Sequence, residues 1–141
     1  MARRRLAVAA CLFLSAAAPP VGVGVSGDFL TPDRDGVVRL QACGGATCGV
    51  IVGVVGQPLD VSGKPQCGYT LLRGLRPGED GRLHGTVTNP EDGKTYDAQV
   101  WLGPDGAMRL RGFIGLPIFG STQLWQPYAG TIGPGCRFTK H

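Results

Sequence analysis

Thr95-Tyr-Asp-Ala-Gln-Val-Trp-Leu102, then Gly103-Pro-Asp-Gly106, then Met108-Arg-Leu-Arg-Gly-Phe-Ile114: these segments decide the fold class. Tyr96, Ala98, Val100 and Leu102 fall on one face, and Asp97, Gln99 and Trp101 on the other. Met108, Leu110 and Ile114 alternate with Arg109 and Arg111. A period of two marks strands with one dry and one wet face, because successive side chains point to opposite sides of a sheet. Pro-Asp-Gly between them is turn chemistry: a fixed φ, a side-chain acceptor and a residue that takes positive φ. Two strands joined so closely are antiparallel neighbours.

The same grammar extends outward. Turn clusters recur at Thr31-Pro-Asp-Arg-Asp-Gly36, Gly44-Gly45, Pro77-Gly-Glu-Asp-Gly81 and Asn89-Pro-Glu-Asp-Gly93. Val38, Leu40 and Ala42 alternate with Arg39 and Gln41, and Leu83 and Val87 with His84 and Thr86. Residues 50–55 are apolar throughout except for Gly53, so that strand is expected to be covered on both faces or kinked. Seven to nine short strands result, the spacing of an all-β barrel or sandwich. Short connections favour an up-and-down barrel, which removes exposed edges. At most one short helix is expected, at residues 58–64.

Composition agrees. The chain has 141 residues, 24 of them Gly and 11 Pro. Interior Gly costs a helix about 1 kcal/mol and Pro about 3 relative to Ala, so long helices are excluded. An apolar content of 43% and a mean hydropathy of +0.06 exclude a disordered Gly/Pro polymer. The length allows one domain.

Arg3, Arg4 and Arg5 precede an uncharged run from Leu6 to Ala18, the pattern of a cleavable signal peptide. That run is shorter than the roughly 20 residues needed to cross a bilayer. Residues 1–27 read as signal and spacer, with cleavage between about 15 and 27, and residues 28–141 as one β-barrel domain. Val8-Ala-Ala-Cys11 spells a lipoprotein-like box, but much of the apolar run still follows it. The net charge of +4 belongs chiefly to the leader; residues 28–141 carry 11 basic and 10 acidic residues, a net of +1. No basic stripe for nucleic acid remains, and no transmembrane segment is expected in the mature chain. The expected location is exported, periplasmic or secreted.

Gly22 to Gly27 matches the letters of a dinucleotide fingerprint but lacks the strand and helix that mechanism needs. Asp33-Arg-Asp-Gly36 opens like a calcium loop without the later ligands. Both read as spacer and turn.

Beyond the leader stand Cys43, Cys48, Cys67 and Cys136, an even set read first as disulfides in an exported domain. Three pairings exist. A hairpin with Gly44-Gly-Ala-Thr47 as its loop would set Cys43 opposite Cys48, leaving Cys67 with Cys136. Their spacing is not that of a zinc finger or ribbon, so no metal is expected, and no cofactor either. Two histidines occur, His84 and His141. His84 alternates onto a polar strand face, no nucleophile elbow is present, and the paired acids lie in turns. A noncatalytic protein is the expectation.

Aromatic residues gather in the second half, among them Trp101, Trp125 and Tyr128. A barrel of about eight strands encloses a small ligand or fills itself with side chains. The candidate ligand-binding residues are Arg73, Tyr96, Trp101, Arg111 and Trp125, an apolar pocket with arginine at its mouth suited to a fatty acid or other amphiphile. The alternative is a structural or interaction module with a filled barrel, docking on another envelope protein.

Thr31-Pro-Asp-Arg-Asp-Gly-Val-Val-Arg-Leu40, Cys43-Gly-Gly-Ala-Thr-Cys-Gly-Val-Ile-Val52, Cys67-Gly68, Asn89-Pro-Glu-Asp-Gly-Lys-Thr-Tyr96, Leu110-Arg-Gly-Phe113 and Thr122-Gln-Leu-Trp125 resemble the exported bacterial domain of unknown function numbered 2147. The resemblance spans about residues 27–128. It implies a single-domain secreted or periplasmic bacterial protein with a lipocalin-like antiparallel barrel and no established activity. It supplies no catalytic residues. The family's opening Gly-x-Trp is Gly27-Asp28-Phe29 here, and Phe113 stands where many members have cysteine. Cys136 lies beyond the matched region, so its pairing is inferred from this chain alone.

Overall fold

The computed structural model describes residues 24–139. Eight strands follow in order: β1 (Gly27–Leu30), β2 (Gly36–Cys43), β3 (Ala46–Val54), β4 (Thr70–Pro77), β5 (Leu83–Thr88), β6 (Thr95–Leu102), β7 (Met108–Phe113) and β8 (Ser121–Pro127). Each pairs antiparallel with the next, and β1 pairs with β8, so the sheet closes into an up-and-down barrel. The closing seam is short, Phe29 with Pro127 and Leu30 with Gln126. No helix among the described residues is long and apolar enough to cross a membrane.

Closure needs curvature, which breaks in register supply. Gly74 takes φ +62° where Arg73 pairs with Thr86 and Arg76 with His84, so two residues of β4 face one of β5. The facing residue is Gly85, whose added Cβ would come within 2.4 Å of the Arg73 carbonyl oxygen. Residues 50–55 are both kinked and covered. β3 is bulged where Gly53 pairs with Val37 and Ile51 with Val38. Outside it runs the C-terminal strap, residues 128–139, with Phe138 stacked edge-on to Tyr128. An added Cβ at Gly53 would meet Val37 and Phe138 at 2.9 and 3.1 Å, so glycine lets the strap seat here.

Topology gives the barrel two unlike ends. At one end the connections are short, residues 44–45, 78–82 and 103–107. Leu40, Leu75, Leu83, Val100 and Met108 fill the interior nearby, and Val25 plugs the base just before β1. At the other end lie residues 31–35, 55–69, 89–94 and 114–120. That end is open.

Two local expectations are corrected. Residues 58–64 form no helix. Leu59 bridges Pro65, and the Asp60 carboxylate accepts hydrogen bonds from Ser62 N–H (2.8 Å), Ser62 Oγ–H (2.6 Å) and Lys64 N–H (3.0 Å). A side chain that gathers its own loop's N–H groups outcompetes a helical turn. The described helical turns are short 3₁₀ turns at Pro117–Phe119 and Pro134–Cys136. Ile114 does not extend β7; it lies past the strand's end and is 73% exposed.

The Asp60 loop yields a pH prediction. The Ser62 hydroxyl, and then the Lys64 N–H, hold the Asp60 carboxyl below its ordinary value of 3.8. A depressed folded-state value stabilises the fold above the unfolded value, and that stability is lost as pH falls through the folded value. Asp60→Ala is therefore expected to lower the urea midpoint at pH 7. The gap to the unsubstituted protein should narrow as pH drops below 3.8. Midpoints at pH 7 and in that acid range check it; a constant gap contradicts the assignment.

Both disulfides pair as expected, Cys43 with Cys48 and Cys67 with Cys136, each with Cα atoms 5.8 Å apart. The local geometry differs from a four-residue loop. The turn is Gly44-Gly45 alone, with φ of +58° and +84°, so Cys43 faces Ala46 and Cys48 faces Gln41. The bond crosses the hairpin diagonally. Two consecutive glycines permit the tight two-residue turn that a side chain at either position would strain.

Candidate functional site: the open end of the barrel

Above the filled base the interior widens into a cup of two adjoining lobes. One, of about 430 Å³, has Val38, Ile51, Leu71 and Trp125 among its lining and residues from 31–36 and 89–91 at its edge. The other, of about 450 Å³, is lined by Val87, Tyr96, Leu110 and Gly112. Leu71, Asn89, Pro90 and Gln123 belong to both. These volumes fall within the range of small-molecule sites.

The lining is mixed, apolar walls interspersed with polar side chains such as Asn89, Ser121 and Gln123, and several of the polar groups are engaged. The Trp125 indole N–H donates to Gln123 Oε1 at 2.9 Å, and buried Gln66 donates through Nε2 to the Leu59 carbonyl at 3.0 Å. Asp33, Asp35 and Glu91 stand at the rim, Asp35 accepting from the Thr31 hydroxyl at 3.0 Å.

Of the five residues anticipated as ligand contacts, the barrel brings two together. Tyr96 and Trp125 face the cup. Arg73, Trp101 and Arg111 do not; they occupy outward positions, out of phase with Leu72, Val100 and Leu110. Arg73 donates from Nε to the Thr70 carbonyl. Arg111 braces the β7–β8 connection, with Nε on the Pro117 carbonyl (2.7 Å) and Nη1 on Thr122 Oγ1 (2.8 Å). Trp101 lies at the closed end under the Arg82 guanidinium, 3.7 Å from its ring centroid. The anticipated arginine at the mouth is absent because alternation places these side chains outside. Gly112 was not anticipated, although it follows Arg111 on an inward position; its missing side chain leaves one lobe open.

Two other places bear on chemistry. His84 sits on the outer face of β5, its Nε2 2.7 Å from the Asp80 carboxylate, which that bond holds below its ordinary value. Among the described residues, no group of three or more histidines, cysteines or acids is placed to hold a metal ion. Outside the barrel a groove of about 850 Å³ runs between the β3–β4 connection and the strap, lined by Val54, Pro58, Leu59, Pro65, Pro134 and Arg137 among others.

The model of a family of uncharacterized proteins conserved in bacteria, DUF2147, matches residues 27–127. The chain belongs to that family. The matched span covers all eight strands and ends before the strap, so Cys136 lies outside it. Among solved structures, the chain is similar to one described as "Protein HP1028 from the human pathogen Helicobacter pylori belongs to the lipocalin family". The TM-score is 0.64 at 18% identity, over 75% of this chain and 84% of that one. At this identity the likeness concerns the fold: a lipocalin-like barrel. No curated protein matches the chain.

Proposed function

We propose that this DUF2147 member is an exported, noncatalytic binding protein that holds a small apolar or amphiphilic molecule in the open end of its barrel. The observation that carries the reading is the contrast within one barrel. Leu40, Leu75, Leu83, Val100 and Met108 fill the closed half, whereas Leu71, Leu110 and Trp125, buried in the same core, border the cup together with Val87 and Tyr96. A filled barrel needs only the first arrangement. The lipocalin-like fold supports the reading without deciding it, since function resides in sites rather than folds. Export is supported by the basic-then-apolar leader and by two disulfides, which persist in oxidising compartments. Absence of catalysis is supported by His84 lying on the outer wall, remote from the cup.

Gly112 supplies the test. A Cβ there would meet Val87 at 3.6 Å and nothing nearer, an ordinary contact, and the position does not require positive φ. Gly112→Leu should therefore fill one lobe while changing stability by no more than about 1 kcal/mol. The expected result is dodecanol binding to the unsubstituted protein, with affinity at least tenfold weaker in Gly112→Leu, read by calorimetry. No binding of dodecanol, together with a strictly ligand-free mass for protein taken from the cell envelope, would overturn the proposal.

A second reading, an interaction module, has one observation in its favour. Ile114, Leu116 and Ile118 on the β7–β8 connection are 73%, 60% and 76% exposed. Cross-linking that traps one specific envelope protein through this connection, with no ligand in the cup, would favour it.

A further inference from the structure

We infer that the groove outside the barrel is a second binding site, for a small apolar carboxylate such as a fatty acid. It is distinct from the cup, although Val54 and Pro58 line both. At about 850 Å³ the groove is larger than either lobe of the cup and within the range of small-molecule sites. Its walls, the β3–β4 connection and the strap, are preformed. Pro58, Pro65 and Pro134 fix the backbone φ along them. Asp60 gathers its own loop, Leu59 bridges Pro65, and the Cys67–Cys136 bond ties one wall to the other. A site held in shape this way loses little to ordering when it binds.

Two observations name the occupant. The first is a guanidinium without a partner. Arg137 lines the groove, and no aspartate or glutamate does. Its main chain is fixed by bridges to Val54 and Gly133, while its side chain is exposed. The other described arginines are all engaged: Arg39 and Arg109 on carboxylates, Arg73, Arg76 and Arg111 on carbonyls, Arg82 on Gln99, and Arg34 as well. Among the described residues, none bonds the Arg137 guanidinium. A planar fork of N–H donors beside apolar surface matches a carboxylate, whose two oxygens accept in parallel. The second observation is what the walls withhold. Proline has no N–H, so these prolines give an extended peptide few donors to pair with. An alkyl chain asks for none, and Leu59 stands exposed on one wall to receive it. The groove therefore suits a carboxylate on hydrocarbon better than a peptide C-terminus.

Laurate below its micelle concentration is the probe, titrated by calorimetry into Gly112→Leu so that the cup contributes least. Binding to that variant is expected, and adding Arg137→Gln should weaken it about tenfold, the worth of a charge-assisted hydrogen bond. The urea midpoint should not move, because the Arg137 side chain braces nothing. High salt should weaken laurate too, since an exposed guanidinium is screened. Dodecanol binding in the cup should be the same in Arg137→Gln as in the unsubstituted protein, so the two sites fail separately. No laurate on Gly112→Leu, or equal binding with and without the Arg137 guanidinium, overturns the groove site and leaves the cup untouched. Tighter binding by N-acetylated trileucine with a free carboxylate overturns it in favour of a peptide.

Discussion

Trp125→Ala is expected to lower stability by about 3–5 kcal/mol and to abolish binding in the cup. The indole is 3% exposed, packed within the barrel core, and belongs to the lining of the cup. It sits beside Met108, its partner across β7, and so joins the filled base to the open half. Its removal takes away apolar burial and leaves a void that the closed sheet cannot collapse to fill. Gln123 loses the indole donor, but its carboxamide lies at the cup and can turn to water. The loss therefore comes from packing and not from an orphaned polar group. Trp125→Phe separates the two contributions: it keeps most of the volume and gives up one hydrogen bond, for about 1 kcal/mol. Chemical denaturation of the three proteins measures the difference. Trp101→Phe leaves Trp125 as the single indole, since the chain has two tryptophans, and makes its fluorescence a direct report on the cup. An alanine variant as stable as the phenylalanine one would mean the indole does not brace the barrel.

The strands could be read in advance because alternation is a local property. Tyr96, Ala98 and Val100 share the inner face, as their spacing says, and each turn cluster between alternating runs became a connection. The site was legible only where phase was respected. The same alternation that put Tyr96 inside puts Trp101 outside; Arg111 is likewise out of phase with Leu110. Residue type alone does not place a side chain inside or outside a barrel; strand phase does. Arg73 had a different obstacle: its phase in β4 is disturbed by Gly74, a bulge with no signature beyond a glycine among apolar neighbours. Gly112 is the converse case. A glycine announces nothing about a cavity until the strand beside it is known to face inward. Which half of the barrel would be filled also depends on which connections share an end. The short turns crowd Leu75, Leu83 and Met108 together, whereas the longer connections hold the other end apart.

Removing the Cys67–Cys136 bond by double alanine substitution is expected to cost about 4 kcal/mol, against about 2 for removing Cys43–Cys48. The reasoning concerns the unfolded chain. The first bond spans 69 residues and the second five, so the first withdraws more freedom from the unfolded ensemble. Native contacts point the same way. The bond ties the β3–β4 connection to the strap, which otherwise rests on the Val54–Arg137 bridge and on the seating of Phe138 against Gly53 and Val37. Cys43–Cys48 crosses a hairpin whose eight-pair ladder already sets its register. For a domain whose total stability is of the order of 5–15 kcal/mol, losing 4 is a large share. Urea midpoints of the two double variants measure the ratio. Hydrogen exchange adds the location: the Ile51 N–H, bonded to the Tyr69 carbonyl at 2.8 Å beneath the strap, should lose protection in the Cys67/Cys136 variant and keep it in the other. If the hairpin variant is the less stable of the two, the strap is not what holds this side of the barrel closed.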